Sequence, residues 1–71
     1  MKLIRMKYRT EIRKANPDEF ILITNSKDSY YSNGDVFQVG SSNGMYVETK
    51  NEHWRVMTFE YEVIKEWSGG V

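Results

Sequence analysis

Turn-forming residues cut this chain into short runs. Asn16-Pro17-Asp18, Ser32-Asn33-Gly34, Gly40-Ser41-Ser42-Asn43-Gly44 and Lys50-Asn51-Glu52 each interrupt an apolar run. Pro17 fixes its own φ and turns the preceding residue away from the α region. The Asn-Gly pairs suit tight turns, and Asn43-Gly44 is read as a positive-φ hairpin turn.

The runs between these breaks have strand character. From Ile4 to Arg13, Ile4, Met6, Tyr8, Thr10 and Ile12 alternate with Arg5, Lys7, Arg9, Glu11 and Arg13. A helix would throw Met6 off the stripe formed by Ile4, Tyr8 and Ile12, so period two predicts a half-buried strand. A helix stays open as the alternative, because Met, Arg, Lys and Glu are good helix formers. Phe20-Ile21-Leu22-Ile23-Thr24 is short, continuous and rich in β-branched residues, the pattern of a central strand buried on both faces. A long polar loop from Asn25 to Gly34 follows. The next expected strands are Asp35–Val39, Met45–Thr49, His53–Thr58 and Tyr61–Ile64, with a 3₁₀ turn around Phe59-Glu60 before the last. Trp67–Val71 has no pairing pattern and is expected to fray.

This order predicts an all-β chain, a small SH3-like barrel of five to six short antiparallel strands. Residues 1–71 are read as a single domain: a basic N-terminal strand over 1–15, a barrel core over 18–65 and a frayed tail over 66–71. The loop at 25–34 takes the place of the one that contributes to ligand binding in SH3 domains. That analogy bears on fold and not on function.

Seventy-one residues enclose only a small core, worth about 3–5 kcal/mol of net stability without staples. Cysteine is absent and histidine occurs once. A disulfide and a His/Cys metal site are therefore excluded, and monomer and homodimer both remain open. The lack of Cys agrees with a reducing, cytoplasmic location. No apolar run approaches the roughly 20 residues of a membrane span, and no apolar segment follows the basic start as a signal peptide requires. No membrane partner is expected.

Zero net charge conceals an asymmetry. Lys2, Arg5, Lys7, Arg9, Arg13 and Lys14 stand against Glu11 alone, giving +5 over residues 1–15 and −5 over the remainder.

Catalysis needs a nucleophile or carboxylate beside a partner of shifted pKa. His53, between Glu52 and Trp54 at an expected strand start, reads as a solvated residue. Glu60 and Glu62 read as a spaced pair on a solvated strand edge. Gly40–Gly44 lacks the Lys and following helix of a phosphate-binding loop. The chain is expected to be no enzyme and to need no cofactor or metal.

Binding is the better-supported class. Ten aromatics exceed what so small a core readily encloses. Phe20, Phe37, Phe59 and Tyr61 are assigned to the core. Tyr30, Tyr31, Tyr46 and Trp54, together with Trp67 in the tail, are candidates for exposure, where Tyr and Trp clusters mark recognition sites, and burial as caps on the open ends of a barrel is the competing reading for each. The first four are the protein-binding candidates. Arg5, Lys7, Arg9 and Arg13 are the nucleic-acid-binding candidates, a row of cations able to track phosphates. The competing reading is that they protect an edge strand and pair with the acidic remainder, and overall neutrality favours it.

Arg13–Asp18, Ile21–Asn25, Tyr31–Val39, Tyr46-Val47-Glu48 and Glu60–Ile64 carry a resemblance. Over residues 13–65 the chain is similar to small, largely uncharacterised SH3-like proteins of Firmicute phages and prophages, the YorP type. The Tyr-x-Asn-Gly-Asp-x-x-x-Val and Glu-Tyr-Glu-Val-Ile strings are its most specific parts, and both are structural. The resemblance implies a small barrel of phage or prophage origin, and it transfers no functional residue. The expected function is a non-catalytic accessory protein binding another protein, with nucleic-acid binding through the basic strand as the alternative.

Overall fold

The computed structural model describes residues 6–69, with side chains described from 8 to 67. Six strands and one 3₁₀ turn follow in chain order: β1 Met6–Glu11, β2 Phe20–Ile23, β3 Val36–Ser42, β4 Tyr46–Thr49, β5 Arg55–Met57, the turn Thr58–Glu60, and β6 Tyr61–Gly69. All pairings are antiparallel, in one open sheet of order β1-β6-β2-β3-β4-β5. From β2 onward, the long loop, two hairpins, 3₁₀ turn and final strand returning beside β2 make an SH3-like arrangement. β1 adds a strand at the outer edge.

The sheet folds over because β3 serves two partners. Val36–Gln38 pair with β2, and Val39–Ser42 pair with β4. The register shifts between Val39 and Ser41, at Gly40, where the backbone of Lys50 lies so near that a Cβ on Gly40 would come within 3.1 Å of its Cα. Only glycine admits that approach without displacing backbone. Alternate residues then point inward, and Ile21, Ile23, Val39, Val47, Val56 and Val63 are buried with Ala15, Tyr31 and Tyr61. Phe37 and Trp54 flank this core.

Several expectations need correction. The strand beginning near Asp35 runs on through Ser42, so the turn shrinks to Asn43–Met45. Among the described glycines only Gly34 has positive φ, and the Asn43 carboxamide instead accepts from the Met45 and Tyr46 N–H groups. His53 sits in the β4–β5 turn at φ 62°, before the strand rather than in it. β2 is central, as its apolar run predicts, but buried fully on one face only: Ile21 and Ile23 are enclosed, while Leu22 is half-buried and Phe20 lies at the surface.

The tail does not fray from residue 66. β6 continues to Gly69, because β1 supplies it with a partner along its whole outer half. Tyr8 pairs with Trp67 and Thr10 with Ile64, so Lys65 is an extra residue that turns Trp67 and Ile64 to the same side. There Trp67 makes edge-to-face contacts with Tyr8 at 5.2 Å and Phe20 at 5.3 Å. Phe20 therefore belongs to this outer cluster and not to the core. Strand β1 ends at Glu11, and Ile12, counted by alternation with the buried set, is 88% exposed.

Candidate functional site

The long loop is held at both ends of its excursion. Gly34, at φ 97°, donates to the Ile23 carbonyl at 2.8 Å and brings the chain back to β2. The Ser26 N–H bonds the Asn33 carboxamide at 2.7 Å across the loop neck. At the tip, Tyr30 stacks on Trp54 with ring centroids 4.9 Å apart. This contact ties the loop to the chain entering β5.

Beneath the loop lies Glu60, 2% exposed. Its Oε1 accepts from the Lys27 N–H at 2.7 Å and its Oε2 from the Met57 N–H at 2.9 Å. The Tyr31 hydroxyl donates to the same carboxylate at 3.0 Å. The Glu60 carbonyl also accepts from Thr24 and Asn25. One residue thus joins the loop, the end of β5 and the 3₁₀ turn, with its charge met by fixed donors. Burial, and then donation to Glu60, hold the Tyr31 phenol well above its ordinary range, so the proton stays on Tyr31.

These restraints shape a groove of about 440 Å³, lined by Lys27, Asp28, Tyr31, Tyr46, Arg55, Met57, Phe59 and Glu60. Phe59 is 59% exposed, because a three-residue 3₁₀ turn that buries Glu60 leaves its neighbour outside. Arg55 and Met57 flank the buried Val56 and face the opposite side of β5. The Arg55 guanidinium lies 5.4 Å from the centre of the Tyr46 ring.

Of the protein-binding candidates, Tyr31 and Tyr46 reach this groove, although Tyr31 is buried and serves as its floor. Tyr30 and Trp54 form the neighbouring clasp. Phe59, assigned to the core by its size, is corrected to a groove wall, and Glu60, assigned to a solvated edge, is the buried anchor. Arg55 and Met57 were legible from alternation around Val56. Nothing in the sequence pattern distinguishes Glu60 from the exposed acids.

Of the basic candidates, the two whose side chains are described, Arg9 and Arg13, are both paired with acids of the chain. Arg13 makes two bonds to Glu19, at 2.9 and 2.7 Å, and another to Glu11 at 2.8 Å. Those partners raise its already high pKa and lower both carboxylates, Glu19 to about 2. Arg9 lies 3.5 Å from Glu66 on the adjoining strand. Arg5 and the Lys7 side chain lie outside the described residues.

A second depression of about 220 Å³ is lined by residues that include Ser41, Glu48 and His53. Glu48 holds the His53 Nδ1 at 2.8 Å, but no hydrogen bond joins Ser41 to the imidazole. No group of three or more His, Asp or Glu side chains among the described residues is arranged to hold a metal ion. No helix among them is long and apolar enough to cross a membrane. Compared with known proteins, the chain matches no protein-family model, no curated protein and no solved structure.

Proposed function

We propose that this chain is a non-catalytic phage or prophage accessory protein that acts in the cytoplasm by binding another protein through the Tyr46–Arg55–Phe59 groove. Its origin rests on the sequence strings at residues 13–65. Its function rests on one observation: an apolar groove left open in a molecule with few apolar residues to spare, yet fixed from beneath by the buried Glu60 carboxylate. A preformed groove spares a ligand part of the ordering cost that a mobile surface would impose. The pairing of Arg9 and Arg13 with acids of the same chain supports charge balance over phosphate binding for the basic strand.

The test is a pull-down from a Firmicute lysate with the tagged protein, with and without nuclease. The expected result is one discrete protein retained equally in both arms, lost with Phe59→Ser and retained with Arg9→Gln. Tyr31 is unsuited to this test because its hydroxyl supports Glu60. Capture that disappears with nuclease and with Arg9→Gln overturns the proposal in favour of nucleic acid.

A further inference from the structure

The distribution of ion pairs extends the groove reading, on which this inference rests, to the chemistry of the partner. Arg9, Arg13, Lys50 and His53 each lie within 4 Å of a carboxylate of the chain. Among the described residues the side-chain cations of Lys14, Lys27, Arg55 and Lys65 are not so paired, and of these Lys27 and Arg55 line the groove. The carboxylate built into that groove, Glu60, already receives two backbone N–H groups and the Tyr31 hydroxyl. Asp28, the other acid of the lining, accepts the Tyr30 N–H at 3.0 Å. The guanidinium of Arg55 rests against the Tyr46 ring, an arrangement that leaves its N–H edge free to meet a planar carboxylate.

We infer that the groove takes a short internal segment of a partner protein in which an aliphatic or aromatic residue adjoins Asp or Glu. The apolar side chain lies against Met57, Phe59 and the Tyr31 ring, and the carboxylate meets Arg55 at the rim, with Lys27 adding to the same field. A volume of about 440 Å³ admits a few side chains and not a folded element. The anchor supplies affinity and the ion pair supplies selectivity, because a half-solvated pair contributes little energy on its own.

The experiment is selection of random dodecapeptides displayed on phage against the full chain, followed by solution affinities of the enriched peptides. The expected peptides carry an aliphatic or aromatic residue next to Asp or Glu. Replacing that acid by its amide weakens them about three- to tenfold, Arg55→Gln removes the difference between acid and amide, and rising salt does the same. Binding that depends on Phe59 but shows no preference for acid over amide, or prefers Lys or Arg, overturns the acidic-partner inference and leaves the groove reading standing. Peptides indifferent to Phe59→Ser, or no enrichment at all, overturn the groove reading itself. Circular dichroism of the Phe59→Ser and Arg55→Gln proteins separates lost binding from lost fold.

Discussion

A carboxylate taken out of water costs several kcal/mol unless its oxygens are met by donors, and Glu60 is met by three. Glu60→Gln replaces one acceptor by an amide N–H₂ that must face a backbone N–H or the Tyr31 hydroxyl. The expected loss is about 2–4 kcal/mol in urea unfolding, and more for Glu60→Ala, which strands every donor. Glu52→Gln, on an exposed turn, should stay within about 0.5 kcal/mol and serves as the control. Arg13 and the Asn16 N–H hold the Glu19 carboxyl down to about 2, against an ordinary 4.5. A pKa depressed by folding means that the unfolded chain takes up the proton first. The contribution of Glu19 is thus complete above about 4.5 and fades as pH falls toward 2. Glu19→Gln should be less stable than the parent at neutral pH, and the gap should close over that interval. A gap that is constant with pH would show that the ion pair is not its source.

At the scale of elements, the outer halves of β1 and β6 form a ribbon that no other strand covers. A two-stranded ribbon is marginal in water, so the Trp67 contacts with Tyr8 and Phe20 should govern its stability. Trp67→Ala is expected to cost about 1–2 kcal/mol and to speed amide exchange in β1 and β6 beyond Ile64 while β3–β5 stay protected. Uniform acceleration would mean that the ribbon and barrel unfold as one unit. The strands themselves were legible from period two and the apolar runs, as β1 and β2 show. Their ends were not, because they depend on partners distant in sequence: β6 outlasts its own pattern by pairing with β1, and β3 crosses its expected turn through the bulge at Gly40.

For the molecule as a whole, the all-β class and the order of loop, hairpins and 3₁₀ turn followed from turn chemistry and alternation. The site was legible only in part. Surplus aromatics pointed to the region of Tyr30, Tyr46 and Trp54, but which rings face out is decided by tertiary placement: Tyr31 turns inward to bond Glu60, and Phe59 is turned outward by the tight helical turn. The charge asymmetry was visible, and its resolution into pairs such as Arg13–Glu19 was not. The central feature of the molecule is an open groove braced from beneath by the Glu60 carboxylate, the site proposed to bind a partner. Its most direct test is a benzophenone amino acid placed at Phe59, and separately at the exposed, distant-in-sequence Ile12, irradiated in a nuclease-treated lysate. The account predicts a discrete protein adduct from position 59 and none from position 12. Adducts from position 12 alone, or equal and diffuse labelling from both, would contradict it.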